Sequence, residues 1–430
     1  MIVFPLVSTR YLLRPEFFGA LLYDSATYDY TVVPDALATL LLKAQDRSIV
    51  DVYATGAPVL TPDELAPHVL NYFGRGVLDD RLALMATVLP GTATPGRLSA
   101  PLAVHLGLTT RCNLACTHCY ADAGAEPGAG ARAAELSTVE VATAIAAMAS
   151  RGAMKLVLGG GEPLLRVDLP EILAEARLKG VAAFLTTNGT VVTREVAREI
   201  ARAKPASVAV SFEDADAVGN DAIRGGGSYA AALAGYRLLA DAGVPIALAL
   251  SIHAGNFDHM DAIVRWAASL APKRLVVRPL YPVGRACGQP LVPSYGQFLA
   301  AVRVVNAAAL GLPLEVSCAD DVPHNEVALA VLDYFGCAAG NLVMAVDSVG
   351  NVLPCLFMPG AFVAGSIRDR PLMDLWDTAE PFVRLRDLRP EEPCAGCAER
   401  ARCGGGCRLR ALSNYGRLGA PDTYCSQSRP

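Results

Sequence analysis

Charge and histidine are scarce in this chain, and each scarcity removes a class of function. Charged residues make up 18% of the 430 positions, the net charge is −5, and no polybasic block occurs. Nucleic-acid binding through a broad positive surface is thereby excluded. The six histidines are too few and scattered to suggest a Ser-His-Asp arrangement. No uninterrupted apolar run reaches membrane-spanning length. The opening MIVFPLVSTRYLLRPEFFG lacks the basic stretch that precedes the apolar core of an export signal. Cysteine is missing from residues 1–111 altogether. A secreted disulfide scaffold would be smaller and more evenly stapled.

What is present is a globular composition, 53% hydrophobic, long enough for two or three domains. Twelve cysteines are unevenly placed, with three at 112–119 and five within 394–425. Clustered Cys-x2-Cys spacings without an export signal point to metal or cluster binding in a reducing cytoplasm, one low in oxygen. The densest chemistry is Arg111-Cys112-Asn113-Leu114-Ala115-Cys116-Thr117-His118-Cys119-Tyr120, directly after the extended run Leu102 to Thr110. Thiolates are soft ligands that suit iron–sulfur clusters and zinc. A cubane has four irons, so three thiolates leave one iron open to a small molecule binding through nitrogen and oxygen. A zinc site with His118 as fourth ligand is the competing reading.

From Leu102 onward, apolar strand patterns alternate with helical ones. Strands are expected at His105–Thr110, Lys155–Leu158, Ala182–Thr187, Ser207–Ser211, Ile246–Ile252 and Arg274–Arg278. Helices are expected near 136–150, 168–178, 192–202, 228–241 and 257–270. Such alternation argues for an α/β fold with parallel strands, either a partial (β/α)6 barrel or a doubly wound open sheet. The unusual residues fall where strands end, as functional residues do in such folds. Gly159-Gly160-Gly161-Glu162-Pro163 follows the second strand. It is neither a P-loop nor a GxGxxG fingerprint, and a tight structural turn is its bland alternative. Three glycines let the backbone approach a ligand closely, and Glu162 has oxygens for an ammonium group. Thr186-Thr187-Asn188-Gly189 ends the third strand and Ser211-Phe212-Glu213 the fourth, with Asp221, Arg224 and Gly225 following. These groups suit a ribose and a carboxylate, or ordinary turn chemistry. The sixth strand runs into Arg278-Pro279-Leu280-Tyr281-Pro282-Val283-Gly284-Arg285-Ala286, whose polar groups would face the same rim. Cys287 beside it has no spacing partner and reads as a buried free thiol.

Ahead of this core, residues 17–31 read as two short strands around Asp24 and Ser25. Pro34 to Lys43 reads as a helix, and Thr61-Pro62-Asp63-Glu64 as a capped start of a second, running to about Phe73. Gly74-Arg75-Gly76 turns toward a further short helix from Val77. This is a small winged-helix-like module over 1–95, joined through Gly96 to Pro101. Behind the core, Cys318 and His324 lie in a linking stretch. A hairpin of 342–346 and 351–353 then separates Cys337 from Cys355, and Cys394, Cys397, Cys403, Cys407 and Cys425 follow. Zinc or iron–sulfur clusters both suit these spacings.

Cys112-x3-Cys116-x2-Cys119-Tyr120, with Gly160-Gly161-Glu162-Pro163 on the second strand, resembles the signature of radical S-adenosylmethionine (SAM) enzymes. The resemblance covers roughly 102–310 and favours the partial (β/α)6 barrel. It implies a [4Fe-4S] cluster on Cys112, Cys116 and Cys119, with SAM chelating the open iron. Gly160, Gly161 and Glu162 would hold the methionyl amine, Tyr120 would flank adenine through its backbone, Ser211 would approach the ribose and Arg224 the methionyl carboxylate. One electron from the cluster would then release a 5′-deoxyadenosyl radical that abstracts hydrogen from the substrate. Residues 311–430 resemble the SPASM extension, which implies two auxiliary clusters, taken as [4Fe-4S]. Cys394, Cys397, Cys403 and Cys425 would hold one; Cys337, Cys355 and Cys407 would hold the other. The family's further cysteine, six residues before Cys337, is Val331 here. Cys318 is the favoured replacement, with His324, an aspartate or an open iron as alternatives. The N-terminal module loosely resembles PqqD-like peptide-recognition domains; a packing cap is its plain alternative.

Together these resemblances imply a maturase that docks a precursor peptide's leader and forms an intrapeptide crosslink by net oxidation. A small-molecule radical SAM enzyme and a peptide epimerase, with Cys287 or Cys318 donating hydrogen, are the rivals. A sulfatase-maturing enzyme has no need of the N-terminal module. A non-catalytic cluster or zinc scaffold would leave the glycine loop unexplained. The expected partners are the precursor peptide and a low-potential donor such as flavodoxin or ferredoxin, with no nucleic acid and no membrane.

Overall fold

A computed structural model describes residues 10–56, 60–91, 94–124, 134–318 and 337–425. The N-terminal region forms a sheet of β1 (Tyr11–Glu16), β2 (Gly19–Asp24), β3 (Asp29–Pro34) and β4 (Thr87–Val88), in the order β3-β2-β1-β4. Helices Asp35–Lys43, Ile49–Thr55 and Pro62–Arg75 cover it. The last starts as the sequence predicts, with a capping box between Thr61 and Glu64, and ends at Gly76 in the left-handed region. Two expectations differ. The hairpin is three strands rather than two, because β1 carries Arg14 and Glu16, which read as surface residues but lie buried. No helix starts at Val77; Leu78 bridges to Leu84 instead.

The core sheet settles the choice of topology. Strands β5 (Ala103–Thr109), β6 (Lys155–Gly160), β7 (Ala182–Thr187), β8 (Ser207–Phe212), β9 (Ile246–Ile252) and β10 (Arg274–Pro279) are all parallel and neighbour one another in chain order. A doubly wound sheet would reverse its order part-way, so this is the partial barrel. Two elements lengthen it beyond six strands. β11 (Glu315–Cys318) adds in parallel beside β10, and β12 (Val343–Val346) adds in parallel beside β5. The hairpin of β12 and β13 (Asn351–Leu353), with β14 (Gly365–Ser366), thus ties the cysteine-rich segment directly to the barrel.

Alternation along the strands sorts side chains between the covering helices and the lumen. On β5, Val104, Leu106 and Leu108 join the main core while His105 and Gly107 face the other way. On β10, Leu275 and Val277 are buried and Arg274, Val276 and Arg278 face the lumen. The N-terminal module has its own apolar core around Leu37, Leu41 and Val33. It is also clamped to the barrel. Leu21 belongs to the barrel's core, with Tyr30 and Val32 packed against it. Arg14 pairs with Glu16 at 2.6 Å and donates to the carbonyls of Gly152 and Ala100. Ser99 N–H and hydroxyl donate to the other Glu16 oxygen. Behind the barrel, fully buried Trp376 donates to the Leu98 carbonyl at 3.1 Å.

Candidate active site

The three-cysteine loop leaves β5 and is held on all sides by backbone bonds. Thr117 N–H donates to the Ile223 carbonyl (2.9 Å), Glu162 N–H to Arg111 (2.8 Å), and Arg285 N–H to Cys119 (2.9 Å). The Arg285 side chain reaches the Cys116 carbonyl at 2.7 Å. Three segments that follow different strands therefore fix the loop's shape, Ile223 from the helix Ala217–Arg224. Cys112, Cys116 and Cys119 are each half-buried. Burial pushes the Cys112 and Cys116 thiols up; Cys112 also feels Cys119, and Cys116 feels both Cys119 and Cys112. Leu114 N–H and the Asn188 amide point at the Cys112 sulfur. Among the described residues, no three Cys, His, Asp or Glu side chains converge on one point as the ligands of a single ion must. A cubane spreads its thiolates over separate irons, which suits cysteines grouped but not convergent.

The glycine loop after β6 serves the cysteine loop first. A Cβ on Gly161 would collide with the Arg111 carbonyl, and Gly160 has φ +118° with Thr109 in the way. Gly159 instead faces the open side, where the nearest atom to a Cβ would be the Tyr120 hydroxyl at 3.8 Å. Glu162 is fully buried. Its carboxylate accepts from the Thr187 hydroxyl (2.6 Å), Asn188 N–H (2.8 Å) and Leu164 N–H (3.0 Å). The expected ammonium partner therefore meets a carboxylate already carrying three bonds, with little left to offer. Burial raises its pKa because these partners are all neutral.

Arg224, expected near the methionyl carboxylate, is engaged by a carboxylate of the chain itself. Its guanidinium Nε and one terminal nitrogen donate to Glu213 Oε1, at 3.0 and 2.6 Å. His118 Nε2 meets the same oxygen at 2.9 Å, and Ser251 N–H donates to the other at 3.3 Å. His118 is thus tied to Glu213, while its Nδ1 is buried without a partner. Glu213 is fully buried. Burial opposes its charge, yet His118 and Arg224 outweigh that and hold its pKa down to about 2. Sequence reasoning passed over Glu213 as the end of a strand. The available signal was a carboxylate at a strand end with a cation 11 residues on. Ser211 lies on the neighbouring β8 and is buried. Tyr120 remains part-exposed, its ring edge-on to Phe357 at 5.3 Å. Cys287 is exposed, correcting the expected buried thiol: it follows the short turn Gly284–Ala286, which lies over the cysteine loop.

The C-terminal cysteines form two groups. Cys394 lies in the electrostatic range of Cys397, Cys403 and Cys425. Cys337 and Cys407 share a thiol hydrogen bond, which with nearby Arg408 pulls Cys337 down to about 6 and drives Cys407 up. Cys337 and Cys355 pack on the same small apolar cluster. Asp422 accepts from Cys407 N–H at 2.7 Å and pairs with Arg410 through both oxygens, while its carbonyl accepts from Cys425 N–H at 3.0 Å, so it links the two groups. All eleven cysteines with described side chains are free of disulfides. The Cys318 side chain, His324 and Val331 lie outside the described residues.

Residues 106–267 match the radical SAM superfamily and 337–398 an iron–sulfur cluster-binding domain. An AdoMet-dependent heme synthase of Methanosarcina barkeri is 31% identical, over 76% of this chain and 97% of that one. The chain belongs to the radical SAM superfamily. A mycofactocin maturase MftC of Mycobacterium ulcerans is 32% identical over 77% of this chain and 89% of its own. A PqqA peptide cyclase of Streptomyces rochei is 30% identical over 77% and 91%. Streptococcus suis SuiB, solved with its precursor peptide SuiA, shares the fold at a TM-score of 0.75 with 15% identity, covering 97% of this chain and 98% of that one. The structure of native anSMEcpe with bound AdoMet reaches 0.61 at 18% identity, over 76% and 94%. This radical SAM enzyme therefore carries a [4Fe-4S] cluster with SAM, and auxiliary clusters in its cysteine-rich C-terminal domain.

Proposed function

We propose that this enzyme modifies a ribosomally made precursor peptide. The observation that carries the reading is the likeness to a PqqA peptide cyclase and to MftC maturases across three quarters of the chain. The division into a peptide-recognition module (1–95), barrel (102–310) and auxiliary domain (311–430) belongs to the same proposal. Cys112, Cys116 and Cys119 hold the SAM-binding cluster. When bound, SAM and the cluster supply a 5′-deoxyadenosyl radical able to take hydrogen from an unactivated C–H. The chain's own part is to orient and shield. Glu162 stiffens the glycine loop, Glu213 ties Arg224 to His118 of the cysteine loop, and Ser211 and Tyr120 flank the nucleoside. Cys394, Cys397, Cys403 and Cys425 form one auxiliary site; Cys337, Cys355 and Cys407 form the other, completed by Cys318. Clusters held by these cysteines would supply an acceptor for the electron that a crosslink by net oxidation gives up. The leader adds as a further strand on the free edge of β3.

The test is anaerobic. The reconstituted, reduced enzyme should form 5′-deoxyadenosine, and Cys116→Ala should not; undiminished product in that variant would overturn the cysteine assignment. With the cognate precursor, a two-hydrogen mass loss marks crosslinking, and an unchanged mass with an inverted centre marks epimerisation. Leader binding should slow hydrogen exchange at residues 29–34. A small-molecule reading has support in the heme synthase relative; turnover of a small molecule with no peptide modified would select it.

A further inference from the structure

The upper lumen of the barrel holds one arginine that no carboxylate among the described residues balances. Arg274 and Arg278 both face the lumen from β10, two pleat repeats apart with Val276 between them. Arg274, at the lower end, pairs with Glu315 on β11 at 2.6 Å. Arg278 lies near the end from which the cysteine loop emerges, in register with Ser251 on β9. It is exposed, and among the described residues it has no carboxylate and no hydrogen-bond acceptor. The other arginines of that rim are spoken for: Arg224 by Glu213, Arg285 by Asp122, Arg111 by Glu135.

The surroundings suit a ligand rather than bulk solvent. On the two strands next to β10 the lumen-facing residues Ala249, Ser251 and Ala209 are small and half-buried, so Val276 on β10 itself is the branched neighbour of Arg278. A closed barrel fills this space with branched side chains; here it is left open. His105 on β5, across the sheet, feels the Arg278 charge. Burial, and then that charge, push its pKa down to about 4, so at neutral pH it is uncharged and does not compete. A planar guanidinium in such a setting recognises a carboxylate through paired hydrogen bonds, which an ammonium does not.

We propose that Arg278 binds a carboxylate of the substrate and so seats an acidic side chain or a C-terminal residue in the lumen. This deepens the peptide-maturase reading and rests on it. Three near-isosteric probes separate the sources: N-acetylglutamate α-amide offers a side-chain carboxylate, N-acetylglutamine a terminal one, and N-acetylglutamine amide none. Each is titrated calorimetrically into the reconstituted, SAM-loaded full-length enzyme under anaerobic conditions. One charged probe should bind about ten-fold more tightly than the neutral one, as a paired carboxylate contact implies. Arg278→Gln should erase that preference while SAM affinity and uncoupled 5′-deoxyadenosine formation stay as in the wild type. No preference in the wild type, or a preference that survives in Arg278→Gln, overturns the proposal. So does a parallel loss of SAM affinity, which would give Arg278 to the methionyl carboxylate instead. The peptide reading fails separately, if the carboxylate preference holds but only small molecules are turned over.

Discussion

Glu162 and Glu213 are both fully buried carboxylates at strand ends, yet their acidities move in opposite directions. The difference is the partner. Neutral hydroxyl and amide donors leave burial dominant at Glu162, whereas Arg224 and His118 give Glu213 opposite charge at contact distance. Glu162→Gln would turn an amide N–H toward either the Asn188 N–H or the Leu164 N–H and Thr187 hydroxyl. The expected cost is about 1–3 kcal/mol, seen in chemical denaturation together with weaker SAM binding. Asp168 gives a residue-scale pH prediction. Arg166 holds its pKa at about 2, from an ordinary 3.8, with help from Thr138. A depressed carboxylate contributes stability that is complete above about pH 4 and fades as pH falls through about 2. Asp168→Asn should therefore cost about 2 kcal/mol at pH 7. Denaturation of both proteins side by side should show the deficit holding to about pH 4 and shrinking below it.

At the scale of elements, β1 shows how a charged strand becomes a joint. Arg14 and Glu16 satisfy each other and four backbone and hydroxyl groups from the barrel side and the linking segment. Removing one partner strands a buried charge, at a cost of about 3–5 kcal/mol. Glu16→Leu should thus unfold at lower denaturant and open the 94–101 stretch to protease. The double replacement Arg14→Leu with Glu16→Leu should recover most of the loss, because no uncompensated charge remains. Recovery would be absent if the two residues acted independently. The same strand escaped sequence reading because alternation of apolar and charged residues normally signals a solvated face, and here both faces are covered.

At the scale of the molecule, the N-terminal module shares a core with the barrel, and the cysteine-rich segment shares both a core and a sheet with it. Leu21 of the module sits in the barrel core, and β12 of the C-terminal segment hydrogen-bonds to β5. Deleting 1–95 would uncover apolar barrel surface, so its expected first effect is aggregation, read by light scattering, before any effect on leader binding. Metal content tests the whole assembly: iron and sulfide analysis after anaerobic reconstitution should give about twelve irons per chain for three cubanes. Cys397→Ala should remove about four of them and leave 5′-deoxyadenosine formation intact.

The sequence by itself determined the chemistry and the alternation of strands and helices. Cysteine spacings, a glycine run and strand periodicity are local patterns, and a ligand loop or an amphipathic strand is encoded within ten or so residues. All six core strands and five covering helices were legible to within a few residues for that reason. Tertiary structure decided what meets what. It chose the barrel over the doubly wound sheet, because strand order depends on which edges pair across the whole chain. It gave Arg224 and His118 to Glu213, buried Arg14 against Glu16, and exposed Cys287. It also left Arg278 without a carboxylate partner among the described residues. A charge's partner is set by distance through space, which residue order along the chain does not specify.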